Sequence, residues 1–167
     1  LTHDIDVIFF SKIETILRTA KSLKERQIKY AFKVLLNNVN KKWNLLWNFK
    51  EIMDLEEKYD AKSSFYFLVL EKGDLDFNFE IEDLEHELGI IKDKGWEVGL
   101  HGGHETYNKF DEIVKKKKKL EKILGKEVIG YRSHFLRFKV PDTWELLSKA
   151  HFKYDTTFGY ADMIGFR

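Results

Sequence analysis

Cysteine is absent from this 167-residue chain. Disulfides, thiolate metal sites and cysteine nucleophiles are therefore excluded, and any metal must be held by His, Asp or Glu. Long hydrophobic runs are missing too. The longest, Val7 to Phe10 and Phe65 to Leu70, fall far short of the ~18 residues that read as a membrane span. Neither sign of charge is in excess, since 29 Lys and Arg stand against 28 Asp and Glu, so no overall field draws the chain to nucleic acid or anionic lipid. Proline occurs once, and no internal repeat or low-complexity linker divides the sequence. No initiator Met or signal peptide precedes Leu1, where the chain already reads as a strand, so we expect the natural N-terminus to lie upstream. The compartment stays open on these grounds, with the cytoplasm favoured over the cell envelope.

What the sequence does contain is a core. Hydrophobic residues make up 43%, and 14 Phe, 7 Tyr and 4 Trp are far too many for a disordered chain. The length suits one domain spanning residues 1–167. Ser11 is placed to cap a helix running to about Gln27, because Ile13, Ile16, Leu17, Ala20 and Leu23 fall on one face. A less periodic helical stretch covers 29–40. Trp43, Leu46, Trp47, Ile52, Met53 and Tyr59 then argue an amphipathic helix to about Asp60, with both tryptophans as core anchors. Ser63 to Leu70 is apolar on both sides, as a central parallel strand would be. Helix 82–94, strand 96–101, helix 106–124 and strand 128–131 follow, and a helix after Pro141 leads to a strand within 152–158. Five strands separated by helices predict an α/β fold with a parallel sheet or part of a barrel. The lysine run 115–119 reads as the wet portion of its helix.

In a parallel α/β sheet, side chains that do chemistry project from the carboxyl ends of strands. Here those ends carry Asp4-Ile5-Asp6, His101-Gly102-Gly103-His104-Glu105, Arg132-Ser133-His134 and Asp155. Aspartates two residues apart share a strand face, so one can ligate a metal while the other stands by as a base. His101 and His104 offer nitrogen ligands, and the paired glycines suggest a tight backbone or close approach of a ligand.

Six segments in this order resemble one known family: LTHDID at 1–6, KKWNLLWNF at 41–49, SSFYFL at 63–68, GWEVGLHGGHETYN at 95–108, GYRSHFLRF at 130–138 and YDTTFGYADMIGFR at 154–167. They resemble the polysaccharide deacetylases with a NodB homology domain (carbohydrate esterase family 4), in the branch whose first motif reads THDxD. The resemblance implies a distorted (β/α) barrel, C-terminally incomplete in this chain. It also implies metal-dependent removal of N-acetyl, or O-acetyl, groups from a glycan, with a divalent cation as cofactor, Zn²⁺ above others.

On that resemblance Asp4 is the catalytic base, Asp6 and His101 are metal ligands, and Arg132 orients the base. A backbone N–H just after Arg132 would help stabilise an oxyanion. The family's second histidine falls at Glu105, so the third ligand is either His104, which we favour, or Glu105. Asp155 or Asp162 stands in the fourth motif. Tyr107, Phe135 and Tyr160 are candidate sugar-stacking aromatics. No Leu-x-x-His occurs before Arg167, so the family's acid is missing, further strands are expected beyond the chain, and His134 is the only rim histidine left to give the leaving amine a proton. A non-catalytic carbohydrate-binding barrel competes with the enzyme reading. A metal phosphohydrolase using His3-Asp4 is disfavoured because that dyad belongs on helices. No nucleic-acid partner is expected.

Overall fold

The computed structural model describes residues 1–39 and 41–159. They form two compact units, one made of Leu1–Asp6 and the chain from Lys62 onward, the other of Val7–Ala61.

The first unit is built on a parallel sheet of β1 (Thr2–Ile5), β2 (Ser64–Leu68), β3 (Glu97–Gly102), β4 (Gly130–Ser133) and β5 (Tyr154–Asp155) in sequential order. The α/β architecture expected from the alternation is thus present, and each strand overlaps its expected position, β4 starting two residues later than the expected 128–131. Parallel strands need helical crossovers, and α4 (Glu85–Asp93), α5 (Phe110–Leu124) and α6 (Asp142–Lys149) supply three of them. β2 is the central apolar run: Phe65, Tyr66, Phe67 and Leu68 are all buried, each contributing about 1.5 to 3 kcal/mol. Leu88 and Ile91 of α4, Ile113 and Leu120 of α5 and Leu147 of α6 complete this core. Gly125 ends α5 in the left-handed conformation, φ 64°, its N–H closing on Glu121 O, as a C-terminal glycine should.

The lysine run is not a uniformly wet face. Lys115 and Lys118 are exposed, but Lys116 and Lys117 are buried. The Lys117 Nζ donates to Ala150 O and His151 O at 2.9 and 3.2 Å, placing a cation at the C-terminal end of α6 where the helix dipole favours one. The Lys116 Nζ donates to Val69 O and to Asp74, both at 2.9 Å. Long aliphatic stems let lysines bury in this way while their heads find partners.

The Gly102-Gly103 pair serves packing. A Cβ on Gly102 would lie 2.1 Å from the Tyr131 hydroxyl, and one on Gly103 would lie 2.8 Å from Leu70. The close approach foreseen there is thus made by the protein's own side chains.

The second unit holds α1 (Lys12–Lys24), α2 (Ile28–Leu36) and α3 (Phe49–Lys58). Ser11 caps α1 through a reciprocal box, its hydroxyl accepting from Glu14 N while the Glu14 carboxylate accepts from Ser11 N. α3 starts later than its pattern suggested. Asn44 turns inward instead, its amide donating to Ile8 O at 2.7 Å and its carbonyl accepting from Leu46 N at 2.8 Å. Such local side-chain bonds compete with helix. Trp43 is consequently 42% exposed and not the core anchor expected. The apolar face of α1 also points outward, since Ser22 is its buried residue.

Candidate metal centre

Three side chains converge beyond the carboxyl ends of β1, β3 and β4. Asp6 follows β1, His101 is the fifth residue of β3, and His134 opens a 3-10 turn directly after β4. His101 Nε2 lies 3.2 Å from Asp6 Oδ1 and 3.2 Å from His134 Nδ1, and His134 Nδ1 lies 4.0 Å from Asp6 Oδ1. These separations form a triangle with a point about 2 Å from all three atoms, which is the Zn–N and Zn–O distance.

The protonation pattern favours a cation as well. His101 Nδ1 sits 2.9 Å from the Arg132 carbonyl, which can only accept, so Nδ1 carries a proton and Nε2 is the nitrogen turned toward Asp6. Among the described residues Asp6 Oδ1 has no hydrogen-bond partner, and neither does His134 Nε2. Burial pushes His134 below its ordinary pKa, more than the nearby Asp6 charge raises it, so this imidazole is held neutral, as a ligand must be. At Asp6 burial acts to raise the pKa, but the nearness of His101 and His134 outweighs it and leaves the carboxyl below its ordinary value. A divalent ion held by Asp6, His101 and His134 would occupy the lone pairs that otherwise face one another, so the donor set fits it.

Asp76 adds a residue that no sequence motif marks. Its Oδ2 lies 3.4 Å from His134 Nε2 without hydrogen-bond alignment. A carboxylate on the far nitrogen of a ligating histidine fixes the ring's orientation and raises its basicity. Asp76 adopts φ 66°, a left-handed conformation that Asp tolerates better than most residues, and it lies two residues after Asp74, the partner of Lys116.

His104 and Glu105 do not join Asp6 and His101. Arg137 Nη1 lies 2.7 Å from Glu105 Oε1 and 2.9 Å from His104 Nε2, and His104 Nδ1 lies 2.8 Å from the same Glu105 oxygen. The third donor beside Asp6 and His101 is thus His134, the histidine expected to serve as acid. His104 and Glu105 instead help line a cleft of about 340 Å³ with Leu70, Asp74, Gly103 and Lys116, none of which belongs to the Asp6 cluster.

Arg132 organises the neighbouring carboxylate. Its Nη1 donates to Asp4 Oδ1 at 2.8 Å, its Nη2 to Thr2 Oγ1 at 3.0 Å and its Nε to Thr156 Oγ1 at 3.0 Å. Every arm of the guanidinium is engaged, so Asp4, within β1 and two residues before Asp6, is held in place. The backbone N–H after Arg132 is already used: Ser133 N donates to Thr157 Oγ1 at 2.9 Å. Asp155 in turn accepts from Thr157 N at 3.1 Å and from Thr157 Oγ1. Burial raises the Asp155 pKa against these bonds. Asp155 is therefore a support for the β4 end and not a member of the donor cluster. Asp162 and Tyr160 lie outside the described residues.

Of the aromatics, Tyr107 has the Arg137 guanidinium 4.8 Å from its ring centroid. Phe135 is 65% exposed and its ring centroid is 4.1 Å from that of His134. Phe135 and Leu136 both take positive φ, 55° and 54°, at roughly 1 to 2 kcal/mol per residue. Consecutive residues of this kind cluster at functional sites.

This arrangement can be set beside solved structures. Over 95% of its length the chain superposes, with TM-score 0.58 and 17% identity, on a Mycobacterium smegmatis protein assigned as a polysaccharide deacetylase. The fold is that of a polysaccharide deacetylase. A second match, with TM-score 0.50 and 16% identity over 64% of the chain, is BA3943 from Bacillus anthracis, a pseudoenzyme of carbohydrate esterase family 4. A mutant of BA3943 with restored enzymatic activity matches equally well, with TM-score 0.50 over 65% of the chain. The chain spans 50% of the mycobacterial protein and 37% of BA3943. No protein-family model and no curated protein sequence matches it. Among the described residues no helix is long and apolar enough to cross a membrane.

Proposed function

We propose that this chain carries the metal-binding site of a carbohydrate deacetylase, a hydrolase that removes N-acetyl or O-acetyl groups from a glycan. The observation that carries the reading is the cluster of Asp6, His101 and His134 as a donor set, with a second carboxylate, Asp4, two residues before Asp6 and held by Arg132.

A divalent cation, Zn²⁺ above others, would lower the pKa of a bound water toward ~7 and polarise the acetyl oxygen. Asp6, His101 and His134 would hold that cation, and Asp76 would steady His134 from behind. Asp4 takes the proton of the attacking water at a carboxylate oxygen, with Arg132 keeping that oxygen aimed. Phe135 offers an exposed ring at the rim against which a sugar face can lie. With His134 among the ligands, a group other than His134 must supply the proton for the leaving amine.

The second reading is a non-catalytic glycan-binding fold. It is favoured by the Ser133 N–H, already committed to Thr157 and so withdrawn from an oxyanion. Zn²⁺ content and acetate release on a panel of N-acetylated and O-acetylated glycans separate the two. Stoichiometric metal with acetate release that Asp4→Asn abolishes supports the enzyme. Metal-independent glycan binding with no acetate from any substrate, in this chain or a C-terminally extended one, supports the alternative.

A further inference from the structure

The overall charge balance conceals an uneven distribution. Residues 12–42 hold nine Lys and Arg against two Glu, whereas the rest of the chain is net acidic. The same segment holds α1 and α2, which pack on one another within the second unit.

Both helices turn apolar side chains to solvent. On α1, Ile13, Ile16, Leu17 and Leu23 are exposed, from 53% at Leu23 to 71% at Ile13. Successive residues advance ~100° around a helix, so these four occupy a stripe ~120° wide. The shielded side of α1 is polar instead, with Ser22 buried and Thr15 and Thr19 half-buried. On α2, Ile28, Phe32 and Leu35 recur at i, i+4 and i+7 and are likewise exposed, while Ala31 and Val34 are buried. Seven large apolar side chains left in water are far more than the single scattered ones that need no explanation.

Cations share these helices. Lys12 and Lys21 flank the α1 stripe, Lys24 stands within it, and Lys29 and Lys33 lie to one side of the α2 stripe, all five exposed. An apolar helical face flanked by Lys is the pattern of a helix lying in the headgroup region of a bilayer, with aliphatic residues inserted and ammonium groups on lipid phosphates. Neither helix crosses a membrane, since α1 has 13 residues and α2 has nine and spanning takes ~20. We propose that the α1–α2 hairpin is a docking surface for an anionic phospholipid membrane.

Charge decides against the other occupants. A second copy would bring two surfaces with the same cationic excess together, which costs free energy. A nucleic acid would satisfy the lysines but leave Ile13, Ile16 and Leu17 in water, because it is bound through phosphates and stacked bases. A surface that is apolar below an anionic layer answers both features.

The test is flotation of the full chain with vesicles of phosphatidylcholine and phosphatidylserine at about three to one, against phosphatidylcholine alone. We expect at least about tenfold stronger partition onto the anionic vesicles, falling when salt is raised from about 0.1 to 0.5 M. Replacing Lys21, Lys24 and Lys33 by Gln should weaken binding about fivefold per residue. The pair Ile16→Ser and Leu17→Ser should weaken it at least about tenfold, with unchanged circular dichroism because both positions are exposed. Equal partition onto both vesicle types, no partition onto either, or indifference to both variants overturns the proposal. So does a concentration-dependent dimer that the Ile16 and Leu17 replacements dissolve.

Discussion

Replacing Lys116 by Met tests whether the loop after β2 is anchored as described. The Lys116 side chain is 8% exposed, and its ammonium donates to the carbonyl of Val69, itself 1% exposed, and to Asp74. Methionine preserves most of the stem's volume and removes the charge. A hydrogen bond from a charged group contributes about 1.5 to 3 kcal/mol, and the Val69 carbonyl has no water to replace it. The Asp74 carboxylate is 41% exposed, so that ion pair is screened and adds at most about 1 kcal/mol. Sparing the ammonium its desolvation offsets part of the loss, which leaves a destabilisation of about 2 to 3 kcal/mol, or a fall in Tm of roughly 5 to 10 °C for a chain of this size. Denaturant unfolding of both proteins measures it. The effect also has a pH signature. Burial raises the Asp74 pKa, but the Lys116 hydrogen bond, the Glu71 backbone bond and the Lys116 charge together bring it below its ordinary value. A carboxylate whose folded pKa is depressed stabilises the fold above its unfolded pKa of ~3.9, and that contribution is lost as pH falls through the folded pKa. The gap between the two proteins should therefore be full at neutral pH and narrow in acid below about pH 4. A loss under about 0.5 kcal/mol at pH 7 would refute the anchoring argument, since no reading of a buried, doubly bonded ammonium gives so little.

Bound Zn²⁺ measured after dialysis should be lost with Asp6→Ala, His101→Ala or His134→Ala and kept with His104→Ala; the reverse pattern for His134 and His104 makes His104 the third ligand instead. Asp76→Asn should weaken Zn²⁺ binding about 10- to 100-fold by calorimetry, as removal of a histidine's outer carboxylate does elsewhere, and an unchanged affinity removes Asp76 from the site. Asp4→Asn should leave metal content intact and lower acetate release about 10²- to 10⁴-fold in any form of the protein that releases it; unchanged release shows that another group is the base.

How far the sequence carries depends on which physical signal a residue leaves in it. The sheet was legible because parallel strands buried on both faces tend to be continuous apolar runs, and Ser64–Leu68 lies inside the run that marked it while Glu97–Gly102 overlaps the strand expected at 96–101. Asp6 and His101 were legible through strand ends and spacing. His134 was visible as a rim residue, but its place among the donors follows from the turn after β4, whose two left-handed residues follow His134 directly. Asp76 left no signal. It is one acid among several in a loop, and what distinguishes it is the fold of that loop. The direction of the α1 face was also hidden, because periodicity reports that an apolar stripe exists and not what covers it.

The lysine run shows where the gap between composition and structure matters for function. Five consecutive cations read as a solvated face because burying one ammonium without partners is prohibitive. That cost is also the reason to ask where each head goes. On a helix, adjacent residues point about 100° apart, so a run of five must send some heads inward. Here Lys116 reaches the loop after β2 and Lys117 reaches the end of α6. The loop that Lys116 holds continues two residues to Asp76, and Asp76 stands behind His134. One buried charge is thereby connected, through three residues of loop, to the orientation of a metal-site imidazole. Through that connection Lys116→Met should weaken Zn²⁺ binding by an amount within the range expected for Asp76→Asn, and the double variant should lose no more than Asp76→Asn alone. Additive losses in this cycle would show that the loop anchor and the imidazole are independent.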